Sequence, residues 1–233
     1  SNCMYKEIKD IIDYIANNEN VYTVLLGDII DNGVITGKVA SAVYDNQLSP
    51  MQQIQKAVEL LSPIKNKILG VVSGNHEFRS SKAIDVNPLY LVCSELGIQN
   101  LYNDSMGIIK IQLGKDNRAD RKGALQCYTL LIHHGKGTAE SAIKKDHEFI
   151  NQFEGIDCII TGHTHQSRVA KFKKLVVNKY SNVVTEKDIT VIVCNSFLKE
   201  AEYGLQNMLV GANNDPLMFD LKCHRNKKII CHY

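Results

Sequence analysis

Apolar residues follow two different spacings along this chain. Between residues 6 and 16 the isoleucines recur at intervals of three and four positions, which predicts a helix with one apolar face. The run Val21–Leu26 is short and continuous, as is typical of a strand buried on both faces. By these two criteria we predict further helices at Met51–Leu61, Leu89–Leu96 and Thr138–Phe153, and further strands at Lys67–Val72, Met106–Leu113, Leu125–Ile132, Asp157–Thr161, Val169–Val177, Ile189–Val193, Leu217–Cys223 and Lys228–His232.

Residues that start or stop helices agree with these bounds. Pro50 stands where the first turn of a helix tolerates proline, and Thr138 is a predicted N-cap. Gly97 ends the helix that precedes it. The charged segment Gly114–Gly123 is typical of a solvated hairpin tip. Because no internal repeat or linker interrupts this order of elements, we predict a single α/β domain over residues 1–233.

Four of the apolar runs are followed directly by side chains that can bind a metal. In layered α/β folds, ligands gather outside the carboxyl ends of the strands, so we expect these side chains to line one edge of the sheet. Glycines in each cluster allow the sharp turns that such an arrangement requires. The four clusters are Gly27-Asp28-Ile29-Ile30-Asp31, Gly74-Asn75-His76-Glu77, His133-His134-Gly135 and Gly162-His163-Thr164-His165.

These clusters offer carboxylate oxygens, an amide oxygen and imidazole nitrogens. Such a mixture suits Mn, Fe, Zn or Ni better than Ca²⁺, which prefers oxygen ligands alone. A carboxylate such as Asp28 can bridge two cations. Two metals roughly 3.5–4 Å apart polarise a phosphoryl group and lower the pKa of a shared water to about 7. Such a centre makes hydroxide available near neutral pH.

Composition and charge limit the partners and the cellular compartment that we expect. The formal net charge of +2 is close to balance and gives no electrostatic case for nucleic acid. No apolar run approaches the roughly 18–20 residues of a spanning helix, so we expect no membrane partner. The seven cysteines include no Cys-x-x-Cys pair, and several lie inside apolar runs. We therefore expect a reducing, cytoplasmic compartment.

Gly-Asp-x-x-Asp, Gly-Asn-His-Glu, a strand-ending His and Gly-His-x-His occur in this order across residues 27–165. The series resembles the calcineurin-like metallophosphoesterase superfamily. The resemblance implies a two-sheet αββα sandwich. It also implies hydrolysis of a phosphomonoester or phosphodiester by a metal-bound hydroxide at a dinuclear centre.

The resemblance further implies two divalent metal ions, with Mn, Fe, Zn and Ni as candidates, and a set of ligands for them. One residue bridges the two ions, and the others bind one ion each. The implied ligands are Asp28 as the bridge, Asn75, His163 and the strand-ending His on one ion, and His165 on the other.

The strand-ending histidine has two candidates, His133 and His134. Side chains alternate along Leu130–Ile132, so only one of the two histidines can point towards the centre. The form His-Gly-x-Gly is similar to that of small bacterial and phage-like members of the family. This form favours His134, with His133 as the alternative.

The residues implied for the substrate belong to the first two clusters. His76 would lie near the leaving-group oxygen as general acid or phosphate ligand, beside Asn75, and Asp31 would fix the tautomer of His76 by a hydrogen bond. Arg79 is expected either to contact phosphate through its planar guanidinium or to form an ordinary ion pair. Glu77 is expected behind the ligands or at the surface.

One expected motif is missing. Members of the family begin with a strand that carries Asp-x-His, whose Asp and His bind the first metal. Here Ser1-Asn2 and an amphipathic helix precede Gly27-Asp28 instead. We therefore expect an N-terminal truncation. The first metal, left with His165 and Asp28, would bind weakly or not at all, so that one ion is retained.

Two other functions are consistent with the sequence. A nuclease would use the same centre, and Lys171, Lys173 and Lys174 would then bind phosphate backbones. A non-catalytic scaffold would keep the fold without turnover, and a natural absence of Asp-x-His would fit it.

Overall fold

The computed structural model describes residues 3–33, 48–114, 125–198, 216–223 and 228–232. The contacts divide the chain into two compact units. The described residues of the first unit fall within Ser1–Gly107, Ile132–His134 and Ser196–Asn214. Those of the second unit fall within Ile108–Leu131, Gly135–Asn195 and Asp215–Tyr233. The predicted hairpin tip at Gly114–Gly123 lies, beyond Gly114 itself, outside the described residues.

The first unit combines helices with short strands. The residues that were predicted to start and stop its helices do so, with Pro50 in the first turn of one helix and Gly97, in the left-handed conformation at φ 73°, at the end of another. The described elements are α1 (Tyr5–Asn17), β1 (Thr23–Leu25), α2 (Pro50–Leu61), a 3₁₀ segment (Ser62–Lys67), β2 (Ile68–Val72), α3 (Glu77–Ile84), α4 (Pro88–Leu96), a second 3₁₀ segment (Gln99–Leu101) and β3 (Tyr102–Asn103).

The three strands of this unit form a parallel sheet in the order β1-β2-β3. Thr23 pairs with Ile68 and Leu25 with Val71, so β1 and β2 end at the same edge. The turns that carry Asp28 and Asn75 leave from that edge. The parallel register therefore brings together two clusters that are separated by more than forty residues of sequence.

The core of the first unit lies under its helices. α2 begins with a capping box, because Ser49 accepts a hydrogen bond from the Gln52 amide while the Gln52 side chain accepts one from the Ser49 amide. The helices bury apolar side chains against β2, where Val71 is completely buried. The principal helical members of this core are Ile12, Ile15, Ile54, Ala57, Leu61, Leu89, Val92, Cys93 and Leu96.

The second unit is built mainly from strands. Its five-stranded sheet has the order β4-β5-β6-β8-β7, and β9 pairs with β10 as an antiparallel hairpin. Pairing is parallel between β6 and β8 and antiparallel between β7 and β8. The elements are β4 (Met106–Leu113), β5 (Gln126–His133), α5 (Ala139–Ile150), β6 (Cys158–Thr161), β7 (Arg168–Val177), β8 (Val184–Val193), β9 (Met218–Lys222) and β10 (Lys228–His232). The first two residues of β4 and the last two of β5 belong to the first unit.

The predicted mixed α/β fold with more than one sheet is confirmed. The sequence pattern missed α3, and it predicted β8 too short by five residues, since β8 begins at Val184. The predicted cap at Thr138 is wrong in its detail, because the Thr138 hydroxyl lies 3.2 Å from Ser141 Oγ and caps no amide of α5. The single domain stays a prediction. Among the described helices, none is long and apolar enough to cross a membrane.

Candidate metal centre

The two turns at the edge of the first sheet touch backbone to backbone. Gly27 has φ +82°, and a Cβ atom added there would lie 2.2 Å from the Gly74 nitrogen. A Cβ atom on Gly74 would lie 2.1 Å from Asp28 Oδ1. Both positions therefore require glycine, because the two turns approach each other too closely for a side chain. Asp28 itself has φ +53°, a conformation that few non-glycine residues adopt.

Three of the predicted ligands converge within the first unit. His134 Nε2 lies 3.3 Å from Asp28 Oδ2 and 3.0 Å from Asn75 Oδ1. Asp28 and His134 each offer a ligand atom to a metal ion. Of the two adjacent histidines, His134 is the one held in these contacts, and only 7% of its surface is exposed.

The tautomer of His134 decides what this arrangement can bind. Its Nδ1 lies 2.5 Å from the carbonyl oxygen of Leu26, so Nδ1 carries the proton and donates it to that carbonyl. In the neutral ring, Nε2 then presents a lone pair towards a carboxylate oxygen of Asp28 and the amide oxygen of Asn75. A proton on Nε2 or a metal ion among these three electron-rich atoms would satisfy all of them. A histidine whose other nitrogen donates to a backbone carbonyl is the usual form of a metal ligand.

The pKa shifts of Asp28 and His134 agree with this geometry. Burial alone would raise the pKa of Asp28, but the hydrogen bond and charge of His134, together with the amide of His76, outweigh it and hold the pKa below its ordinary value. Burial alone would lower the pKa of His134, yet the bond to Asp28 and the Leu26 carbonyl raise it above its ordinary value. The pocket therefore favours a positive charge at Nε2.

His76 and Asp31 lie beside this group. His76 Nδ1 is 3.0 Å from Asp31 Oδ1, and the His76 amide donates to Asp28 Oδ1 at 2.9 Å. His76 Nε2 lies 3.8 Å from Asp28 Oδ2. Arg79 forms an ion pair with Asp31 at 3.4 Å and donates to the Asp31 carbonyl at 2.7 Å. Of the two alternatives for Arg79, the structure therefore contains the ion pair.

Three residues outside the predicted ligand and substrate set hold the turns of the site. Glu77, expected behind the ligands or at the surface, is completely buried and binds backbone amides of both turns. Asn32 is 1% exposed and donates to the carbonyl of His76 at 2.9 Å. Gln53 Oε1 accepts from the amides of Asp31, at 2.9 Å, and Asn32, at 3.2 Å. No local pattern identifies the contacts of Asn32 and Gln53, because their partners are more than twenty residues away in sequence.

The remaining predicted histidines differ in environment. His133 is half-buried at the end of β5, and burial lowers its pKa. His163 and His165 belong to the second unit, where they follow β6 in left-handed conformations at φ 68° and 59°. His163 is half-buried and His165 is exposed. Beside them in that unit, a Cβ atom on Gly135, which has φ +95°, would lie 3.0 Å from the Gly162 carbonyl oxygen.

Comparison with known proteins identifies the family of this chain. The family model described as calcineurin-like phosphoesterase matches residues 2–167, which is more than half of the chain. The chain belongs to the calcineurin-like phosphoesterase family. Members of this family generally bind divalent metals, and the family indicates a phosphoester hydrolase. No curated protein and no solved structure matches the chain.

Proposed function

We propose that the protein is a metal-dependent phosphoesterase that hydrolyses a phosphomonoester or phosphodiester at a dinuclear centre. The observation that carries the proposal is the meeting of His134 Nε2 with Asp28 Oδ2 and Asn75 Oδ1, at 3.3 and 3.0 Å. A carboxylate, an amide oxygen and an imidazole with its lone pair turned inward form a donor set suited to Mn, Fe, Zn or Ni. Membership of the phosphoesterase family supports the same reaction.

The proposed ligands are those that the four sequence motifs imply. Asp28, Asn75 and His134 would hold one ion together with His163, and Asp28 and His165 would hold the other. When bound, the ions would polarise the phosphoryl group and activate a water molecule for attack at phosphorus. For His163 and His165 the proposal rests on the Gly-His-x-His motif and on the family match, which includes both.

His76 is the proposed general acid or phosphate ligand. Its Nδ1–H donates to Asp31 Oδ1 at 3.0 Å, so Nε2 is left to meet the substrate. Asp31 is in turn oriented by Arg79, which donates to its carbonyl oxygen at 2.7 Å. His76 and Asp31 are both partly exposed, as groups that meet a substrate must be. Arg79 keeps further N–H donors that would contact phosphate.

The test is an assay of the chain with Mn²⁺ on bis-p-nitrophenyl phosphate, p-nitrophenyl phosphate and single-stranded DNA. Hydrolysis that is lost with a chelator and in Asp28→Asn supports the proposal. A preference for bis-p-nitrophenyl phosphate indicates a diesterase, for p-nitrophenyl phosphate a monoesterase, and for single-stranded DNA a nuclease. A protein that binds Mn²⁺ but hydrolyses none of the three would refute turnover and favour the scaffold.

Of the lysines considered for a nuclease, Lys173 pairs with Glu186 and Lys171 donates to the Ile229 carbonyl at 2.7 Å.

A reducing, cytoplasmic setting is part of the proposal. Its support is the state of the buried cysteines, since Cys93 and Cys158 are completely buried as thiols. Cys93 is completely buried in the apolar core of the first unit, and burial raises the pKa of its thiol to about 11. Fractionation of cells that express the tagged protein would test the compartment.

A further inference from the structure

The carboxylate of Glu77 accepts hydrogen bonds from the backbone of two separate turns. Oε2 accepts from the amides of Asp28 and Gly74, both at 2.9 Å. Oε1 accepts from the amides of Ile29, at 2.8 Å, and Ile30, at 3.4 Å. Three successive amides that converge on one anion form a backbone nest, and here the anion is a side chain of the same chain.

This carboxylate is isolated from water. Glu77 has 0% of its surface exposed, and burial raises its pKa although the surrounding amides act in the opposite direction. A buried carboxylate without such partners costs several kcal/mol, so the four amides are what allow it to remain there. Its position is fixed from the other side as well, since Asn32 donates to the carbonyl of the preceding residue, His76, at 2.9 Å.

The two turns joined by Oε2 are those that carry the ligands. One contains Asp28, whose backbone has φ +53° and would not hold that conformation without support. The other places Asn75 directly after Gly74. A single oxygen atom thus sets the separation between the main chain of Asp28 and that of the Asn75 turn. The side chain of Asp28 is oriented separately, by the amide of His76 at 2.9 Å.

We propose that Glu77 is a positioning residue of the metal centre: its carboxylate holds the Asp28 and Asn75 turns at the separation that metal binding requires. The proposal rests on the proposed function, because it assigns Glu77 to the geometry of those ligands. Glu77 touches neither metal nor substrate in this role. It acts through the backbone of Asp28 and Gly74.

Glu77→Gln tests this role with almost no change in shape. The amide nitrogen of glutamine would face two backbone N–H groups, so two of the four hydrogen bonds are lost. We expect the dissociation constant for Mn²⁺, measured by titration calorimetry, to rise about 10- to 100-fold. In the metal-free protein we expect faster hydrogen exchange at one pair of amides, either Asp28 and Gly74 or Ile29 and Ile30, according to which oxygen the glutamine nitrogen replaces.

Two control variants separate positioning from loss of stability. Glu95→Gln makes the same chemical change at an exposed site on α4 and is expected to leave metal affinity and exchange unchanged. Val92→Ala truncates a completely buried core residue of the same helix and lowers the melting temperature without touching the turns. We expect Val92→Ala to keep the metal affinity of the wild-type protein.

The outcomes are distinct. If the wild-type protein binds no Mn²⁺, the proposed function fails, and the assignment of Glu77 to metal geometry fails with it. If the wild-type protein binds Mn²⁺ but Glu77→Gln weakens binding no more than Val92→Ala at a similar loss of melting temperature, only the positioning role is overturned. Unchanged exchange at all four amides, those of Asp28, Ile29, Ile30 and Gly74, in Glu77→Gln would also overturn it.

Discussion

Gly74→Ala is a sharp test of the site, because it adds one carbon atom between the two turns. The new Cβ atom would lie 2.1 Å from Asp28 Oδ1 and 2.4 Å from the Asp28 backbone nitrogen. Real Cβ atoms stay at least 3.0 Å from such neighbours, so the carboxylate must retreat by about 0.9 Å and the backbone by about 0.6 Å. Rotation of the Asp28 side chain relieves only the first clash. The turns themselves must separate.

Displacements of this size are large for a metal site. A misplacement of about 1 Å can cost about 100-fold in activity, and overpacking of a tight contact typically costs about 1–3 kcal/mol of stability. We therefore expect Gly74→Ala to raise the dissociation constant for Mn²⁺ at least about 10-fold, with a similar loss in hydrolysis of bis-p-nitrophenyl phosphate. Calorimetric titration and initial rates measure the two effects, and urea unfolding measures the change in stability.

Gly97→Ala is the matched control. Gly97 ends α4 at φ +73°, and a Cβ atom there meets nothing within 4 Å. Alanine in that conformation costs roughly 1–2 kcal/mol, comparable to the expected cost at Gly74. Metal affinity should stay at the wild-type value in Gly97→Ala. Equal metal affinity in the two variants would show that the contact between Gly74 and Asp28 does not shape the site.

Three further predictions follow from the same contacts. His76→Ala is expected to lower kcat by about 100- to 10,000-fold at unchanged Mn²⁺ affinity, because the side chain is proposed to contact substrate rather than metal. A loss of Mn²⁺ affinity in this variant would instead identify His76 as a metal ligand. The pKa of His134 is raised, so its pairing with Asp28 stabilises the metal-free protein fully below the ordinary value of 6.5, and this stability is lost as pH rises through the raised value. Mn²⁺ affinity should change in the opposite sense and fall as pH is lowered through that value, because the proton and the ion compete for Nε2. Urea unfolding with chelator measures the stability, and calorimetry measures the affinity. If both changed with pH in the same direction, the assigned tautomer would be contradicted. Tyr128→Phe should cost about 1–3 kcal/mol of unfolding free energy at unchanged metal affinity. The reason is that the buried Tyr128 hydroxyl donates to the Lys222 carbonyl at 2.6 Å and accepts from the Lys228 amide at 2.8 Å. An unchanged urea midpoint would contradict this.

Long periodic segments were the part of the fold that the pattern predicted well. α1, α2 and β2 lie within a residue or two of their predicted bounds, because their apolar spacing and flanking residues agree with their environment. α3 was missed for a physical reason. Its eight residues have few apolar side chains and no side-chain cap, and its first residue, Glu77, is charged yet completely buried. A pattern of polarity assigns such a residue to the surface.

The sequence by itself determined the order of most elements, the family and the kinds of atom that the centre offers. Those properties depend on residue types at fixed spacings, which a chain carries whether or not it is folded. Only the tertiary structure decided that His134 meets Asp28 and Asn75 and that Arg79 pairs with Asp31. It also decided that the carboxylate of Glu77 joins two turns of the backbone. Hydrogen bonds to main-chain amides leave no mark on composition or periodicity, because every residue except proline has an amide to offer.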